Sequence, residues 1–353
     1  MDEIRVGLIG WGSAAATFHA PLIRATPGLR LAAVATRSPD TARASVHAAC
    51  GGDVAVVTPP ALIGDASLGL VVIATPNDSH AELAEAALAA GHHVVVDKPF
   101  TLEFAQAQAL AERAEASGRR LCVFHNRRWD GDFMTLRSLL ADGVVGRPVE
   151  YVSHFDRFRP QVRERWRERA GAGAGLWFDL GPHLLDQALQ LFGMPSMIEL
   201  DQARQRDGAQ VDDWFCCRLR WDDGPFGGLR ARLQAGMLAA KPGPRFLVHG
   251  TGGSVEIEGL DPQEEALKRG DLPGSAGWGR DDSRVARLWR GDAAPAETLA
   301  LQAGRYPVFY AAMRDAVRPG GPLPVALDEA LAVQRLLDAG LQSAAAGRPL
   351  RLR

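Results

Sequence analysis

Short apolar runs alternate with alanine-rich stretches over the first third of the chain. The runs at residues 5–9, 31–35, 70–74, 93–96 and 121–124 are built almost entirely of Val, Ile, Leu and Ala. Between them, residues 17–26, 40–49, 79–90 and 102–117 carry helical spacing. Strands apolar on both faces and separated by helices predict a parallel sheet covered on both sides. From about residue 125 the pattern changes. A helix is predicted over 133–141, then alternating runs at 149–158, 197–204, 214–221, 228–234, 246–249 and 254–258. Turn signals separate these runs, which predicts a large, mainly antiparallel or mixed sheet packed on one face. A helix over 184–191 interrupts it, residues 261–300 read as a long irregular excursion, and 327–344 read as a closing helix.

Ligands of a parallel sheet bind beyond the carboxyl ends of its strands, so the residues just after each run are the candidates. The first run leads into Gly10-Trp11-Gly12-Ser13-Ala14-Ala15, a G-x-G-x-x-G/A pattern in strand–turn–helix context. Gly10 permits the tight turn, Gly12 lets the backbone approach a pyrophosphate, and Ala15 allows close helix–strand packing. The helix start around Ser13 favours phosphate charge. After the second run, Thr36-Arg37-Ser38 offers a guanidinium and two hydroxyls where an acidic side chain would select NAD. That set suits a 2′-phosphate, so the expected cofactor is NADP, with NAD possible. A solvated arginine is the plainer alternative. After the third run come Thr75-Pro76-Asn77-Asp78-Ser79-His80. This turn lies at the ligand edge, where backbone can line a nicotinamide, and Asp78 or Ser79 is expected to cap the next helix.

The fourth run ends in Asp97-Lys98-Pro99. A lysine at the end of a buried strand needs a partner or a task. Pro99 restricts Lys98 to an extended conformation. Its ammonium is suited to stabilising an alkoxide as hydride departs. A lysine that simply reaches solvent fits the position equally well.

In the second half, Gly175-Leu176-Trp177-Phe178-Asp179-Leu180-Gly181-Pro182-His183-Leu184-Leu185-Asp186 is the most chemically loaded stretch. Asp179 and His183 are four apart and would share a helix face. Gly181-Pro182 predicts that the helix starts only near His183, leaving Asp179 just before it. Histidine is the natural proton shuttle near neutrality, and a carboxylate can orient it. A helix-start histidine with a capping aspartate is the plainer alternative. Residues 156–169 hold six arginines around Trp166, interleaved with Glu164 and Glu168. This run reads as a solvated or oligomer-facing segment with a few arginines near a substrate mouth. His92 and His93 are adjacent, and no His/Cys/carboxylate cluster has ligand spacing, so no metal is expected.

With 353 residues, 46% of them hydrophobic and 23% charged, the chain has the length and composition of two globular domains. A formal net charge of −2 gives no reason to expect nucleic acid or an anionic membrane as partner. The start shows no secretory pattern, and no apolar run is long enough to span a bilayer. The four cysteines form no C-x-x-C pair, which points to reduced thiols in a cytoplasmic protein.

Together these pieces resemble the Gfo/Idh/MocA family of NAD(P)-dependent oxidoreductases. Three motifs carry the resemblance: Gly10-Trp11-Gly12 followed by His19-Ala20-Pro21; Asp97-Lys98-Pro99, where the family usually has Glu-Lys-Pro; and Gly175 with Asp179-Leu180-Gly181-Pro182-His183. The resemblance implies a Rossmann domain over 1–124 and an α+β domain over 125–353 whose large open sheet often forms homodimers or homotetramers. It implies that Lys98 polarises the reacting oxygen, His183 exchanges the hydroxyl proton, and Asp179 orients or contacts substrate. Asp97 becomes a cofactor neighbour of shorter reach than glutamate. The segment Phe124-His125-Asn126-Arg127-Arg128-Trp129 resembles the loop lining the nicotinamide and substrate region, which adds Asn126 and Arg128 for cofactor and Trp129 for substrate. Trp166 is a further substrate candidate. The branch that looks closest holds NADP-dependent scyllo-inositol dehydrogenases, so hydride transfer between NADP(H) and a secondary hydroxyl of a cyclitol or sugar is expected. An NAD-dependent glycosidase of the same family, or a non-catalytic NADP sensor, are the rival functions.

Overall fold

The structure is a computed structural model that describes residues 3–291, 296–318 and 321–352. The chain forms two compact units. Residues 1–129, 263–278 and 305–331 make the first, and residues 130–262, 279–304 and 332–353 make the second.

The first unit holds six strands: β1 (Ile4–Ile9), β2 (Leu29–Ala35), β3 (Ala55–Val57), β4 (Leu70–Ile73), β5 (His93–Val96) and β6 (Leu121–Val123). They lie in the order β3-β2-β1-β4-β5-β6, all parallel. The five apolar runs of the sequence are five of these strands; β3 is the addition. It is only three residues long and sits between Gly51-Gly52-Asp53 and Thr58-Pro59-Pro60, so its sequence reads as a turn. Helices Pro39–Cys50, His80–Ala89 and Phe104–Ala116 follow β2, β4 and β5. Val6, Leu8, Val71, Val72, Val94 and Val95 are fully buried in one core. The helix Pro307–Val317 returns to this core and inserts Phe309, Tyr310 and Met313.

Strand register makes one edge of this sheet flush. Ile9 pairs with Ala35 and Ile73, Ile73 with Val96, and Val96 with Val123. One backbone bond beyond each pair extends the line: Gly10 N–H to Ala35 O, Ala74 N–H to Ile9 O, Asp97 N–H to Ile73 O and Phe124 N–H to Val96 O, each 2.8 Å. The order reverses between β1 and β4, and such a switch point opens a ligand crevice at the strands' carboxyl ends.

The second unit carries β7 (Pro148–His154), β8 (Met197–Ala203), β9 (Trp214–Arg220), β10 (Arg230–Gly236), β11 (Phe246–Gly250), β12 (Gly253–Ile257), β13 (Val285–Arg290), β14 (Glu297–Ala300) and β15 (Leu350–Arg351). The sheet order is β14-β13-β12-β11-β7-β10-β9-β8-β15, and only β7 with β10 is parallel. Tyr151, Leu219, Leu233, Phe246 and Val255 bury one face in a second core together with Trp177, Leu184 and Leu185. Arg218, Arg230 and Arg232 are exposed, as alternation in an open sheet requires.

Two expectations are corrected here. Residues 261–300 are not one irregular excursion: they contain the helix Gln263–Arg269, β13 and β14, while 292–295 lie outside the described residues. Arginines at 287 and 290 hide the strand pattern of β13, because their charges pair with Glu256, Glu258 and Glu297. The second correction concerns the helix over 184–191, which runs from Leu176 to Phe192 with Pro182 inside it. An internal proline costs about 3 kcal/mol or more. Burial of Leu176, Trp177, Leu180, Leu184 and Leu185 at roughly 1.5–3 kcal/mol each outweighs it. Gly181 helps, since a Cβ there would lie 2.8 Å from the Trp177 ring.

Candidate active site

The flush edge of the first unit gathers the sequence-predicted cofactor residues. Gly10 has φ +101°, and a Cβ on it would stand 2.5 Å from the Ala74 carbonyl oxygen, so only glycine closes this turn against β4. Gly12 differs: nothing lies within 4 Å of where its Cβ would be. It is exposed with Ser13, and the buried Ala15 packs behind them. A π-helical turn, Ala15–His19, continues into the helix Ala20–Arg24. A bare glycine with open space before it, ahead of a helix start, fits a dinucleotide pyrophosphate.

Thr36, Arg37 and Ser38 follow β2, with Arg37 and Ser38 exposed and the Ser38 N–H donating to Thr36 Oγ1 at 3.1 Å. At the end of β4, Ser79 occupies the N-cap position of its helix but makes no capping bond. Its hydroxyl turns back to Thr75 Oγ1 (2.7 Å) and the Pro76 carbonyl (2.8 Å), so it braces the Thr75-Pro76-Asn77 turn instead. Asn77 is buried.

His80, fully buried, ties two loops together. Its Nδ1 is 2.9 Å from the Pro99 carbonyl oxygen and its Nε2 3.1 Å from that of Thr75. Burial pushes this imidazole's pKa down, against the pull of Asp97 and the two carbonyls. Asp97 accepts the Lys98 N–H at 2.8 Å and lies 3.9 Å from His19 Nε2. Burial alone would raise this carboxyl, but His19, Lys98 and His80 outweigh it and hold it at about 2. Asp97 is therefore an anion throughout the physiological range. Lys98 is only 9% exposed, beside that anion, and the Lys98–Pro99 peptide is cis. A strand-end lysine reaching freely into solvent is thus not what the structure contains.

Asn126, Arg127 and Arg128 are buried in a 3₁₀ turn, Asn126–Trp129. Arg127 pairs with Glu264 at 2.7 Å, and Arg128 pairs with Glu329. Trp129 is half-buried edge-on against Phe309, and its carbonyl accepts from Gln263 and Arg305.

In the second unit, Asp179 stands in the first turn of the Leu176–Phe192 helix, one turn before His183, which is 6% exposed. The spacing of four does place them on one helix face, by a longer helix than the proline suggested. The helix is capped from another part of the chain. Asp212 accepts the Trp177 N–H through Oδ2 at 2.7 Å, and its carbonyl accepts the Leu176 N–H at 2.9 Å. Burial pushes the Asp212 carboxyl up, although these donors and Gln202 oppose the rise. Gly175 has φ +99°, and a Cβ on it would fall 1.9 Å from Asp212 Oδ1. Gly175→Ala is expected to destabilise the protein by about 2–4 kcal/mol, from lost capping and left-handed strain. A melting temperature unchanged from wild type would refute the borrowed cap.

The arginine-rich run proves more ordered than its composition suggests. Glu168 is its buried hub: it accepts Arg165 Nε at 2.6 Å and the Arg163 N–H at 2.9 Å, and pairs with Arg206 at 3.0 Å. Arg206, 7% exposed, also binds Asp213 at 2.9 Å and donates to the carbonyls of Arg159 and Gln161. Trp166 is half-buried and Arg167 stands beside Asp179. Sequence reasoning missed Arg206, Asp212 and Asp213. Asp212 lies 35 positions from its partner Trp177, and no local pattern marks such a pairing. Among the described residues no group of three or more His, Cys, Asp or Glu side chains is placed to hold a metal ion. No described helix is long and apolar enough to cross a membrane.

Comparison with known proteins bears directly on this arrangement. Residues 4–125 match the NAD-binding Rossmann fold of an oxidoreductase family, and residues 137–352 match that family's C-terminal alpha/beta domain. The chain is 49% identical over 346 residues to the uncharacterized oxidoreductase YdgJ of Escherichia coli, covering 97% of each. It is 33% identical over 356 residues to the scyllo-inositol 2-dehydrogenase (NADP(+)) IolW of Bacillus subtilis, covering 100% of this chain and 97% of the relative. The crystal structure of an oxidoreductase from Bacillus cereus superposes with a TM-score of 0.87 at 30% identity, covering 99% of both chains. The flush glycine-turn edge and the matches over both halves lead to one conclusion: this chain belongs to the Gfo/Idh/MocA family of oxidoreductases, with a nicotinamide-binding Rossmann domain.

Proposed function

We propose that this protein transfers a hydride between NADP(H) and a secondary alcohol or ketone of a cyclitol or sugar. The observation that carries the reading is Lys98, buried at the end of β5 on the same sheet edge as the Gly10–Gly12 turn. A bound nicotinamide ring supplies the hydride acceptor or donor. The chain supplies the rest. Gly12 and the helix start after it hold the pyrophosphate, and Arg37 with Thr36 and Ser38 holds a 2′-phosphate. Lys98 donates to the reacting oxygen and stabilises its developing negative charge. His183 takes the hydroxyl proton in oxidation and returns it in reduction, and Asp179 orients the substrate. The similarity to IolW supports a cyclitol and NADP.

The test follows absorbance of reduced nicotinamide with purified protein, NADP or NAD, and a panel of inositols, hexoses and pentoses. Growth with NADP and a polyol is expected. Silence with every polyol, and with keto-sugars in the reverse direction, overturns the reading. Cofactor choice is tested separately. Arg37→Ala is expected to raise the ratio of the KM values for NADP and NAD by roughly tenfold or more, the effect of one charged hydrogen bond. An unchanged ratio removes Arg37 from phosphate recognition.

A further inference from the structure

One side chain of the arginine-rich segment has no part in the roles assigned so far. Arg167 belongs to the 3₁₀ turn Trp166–Glu168, with its Nε 3.4 Å from Asp179 Oδ1 and its guanidinium carbon 4.6 Å from the centre of the Trp166 ring. Its main chain is pinned as well, since its carbonyl accepts the Gly175 N–H at 3.0 Å. The next residue, Glu168, is locked by Arg165 and by buried Arg206. A long, rotamer-rich side chain is thus held beside Asp179 by its backbone, its stacking and its neighbour's ion pairs. The Arg167 and Asp179 side chains are 22% and 17% exposed, so the pair is sheltered but open to a ligand. Both line a narrow cleft with Arg165, Gly175, Leu176 and Met237.

We propose that Arg167 is a specificity-determining residue which, with Asp179, reads two adjacent hydroxyls of a neutral polyol. The carboxylate accepts a hydrogen bond from one hydroxyl, and the guanidinium donates to the oxygen of its neighbour. A planar fork of N–H donors suits this side-by-side arrangement better than a lysine point charge. Opposite charges on the two readers cancel, which favours a neutral diol over an acid or a phosphate ester. The inference rests on the polyol reading of the protein and names the feature of the polyol that is recognised.

Two variants test it. Arg167→Met removes the fork and keeps the aliphatic bulk, and Arg167→Lys keeps the charge beside Asp179. Each is assayed with the polyol that wild type uses best and with its analogue lacking one hydroxyl next to the reacting carbon. Arg167→Met is expected to lower kcat/KM on the complete polyol roughly 10- to 100-fold more than on the deoxy analogue, the loss of one charged hydrogen bond. Arg167→Lys restores only part of that discrimination. Equal losses on both substrates mean a structural role and overturn the proposal; if Arg167→Met fails to fold, the same ratio in Arg167→Lys decides. Should wild type turn over no polyol, the functional reading fails separately. Calorimetric titration of the NADP-loaded protein with an inositol and its monodeoxy analogue then decides for Arg167. A tenfold preference for the inositol that Arg167→Met abolishes supports the proposal, and no preference in wild type overturns it.

Discussion

Exchanging Lys98 for methionine lowers kcat by roughly 10²–10³-fold while cofactor affinity stays within a few-fold of wild type. That magnitude is the usual cost of removing one preorganised donor to a developing oxyanion. Methionine suits the test because Lys98 is 9% exposed, and its stem already lies in an apolar strand end. The change also removes the Lys98 ammonium, one of the groups that hold the Asp97 carboxyl at about 2, against an ordinary 3.8. A carboxyl with a depressed folded pKa contributes stability above its unfolded pKa, and that stability is lost as pH falls from about 4 towards 2. The His19 contact and the backbone N–H of residue 98 remain, so at neutral pH Asp97 stays ionised and the variant stays folded. Fluorescence titration with the reduced cofactor and steady-state rates on the same preparation separate the two effects. Turnover within tenfold of wild type would take Lys98 out of the reaction.

Exchanging His183 for asparagine costs roughly 10²–10⁴-fold in kcat, the range for a positioned general acid–base group. The effect also has a sign in pH. With His183 as the proposed base, oxidation needs an unprotonated acceptor for the hydroxyl proton, so the wild-type rate is expected to rise with pH. Asparagine cannot take up a proton, and its profile is flat over that interval. In reduction the dependence reverses, because the protonated form is then the donor. The helix is retained in the variant, since Leu180, Leu184 and Leu185 bury it independently of residue 183. A pH–rate profile that keeps its full wild-type rise in His183→Asn would assign the proton to another group.

What the sequence made legible follows from which physics is local. The parallel sheet was readable because strands buried on both faces must be continuously apolar. The residues after them were readable because strand register carries Gly10, Thr36, Asp97 and Phe124 to one line. The start of the His183 helix was misjudged for a local reason: Gly181-Pro182 reads as a helix start, and only the buried Trp177 and its neighbours override that rule. Nothing local could reveal that Asp212 caps this helix or that Arg206 anchors Glu168, because those partners are 35 and 38 positions away. Buried ion pairs of that kind look in sequence like ordinary surface charge.

The return of residues 263–278 and 305–331 to the first unit has a consequence for how such a chain can be cut or recombined. Leu267, Tyr306, Phe309, Tyr310, Met313 and Val325 all sit in the first unit's core. At roughly 1.5–3 kcal/mol for each large apolar side chain, their burial is comparable to the whole net stability of a domain, about 5–15 kcal/mol. The nucleotide-binding half is therefore not a detachable cassette. Grafted elsewhere as its first 129 residues, it would leave an apolar wound on its surface and would be drawn to aggregate.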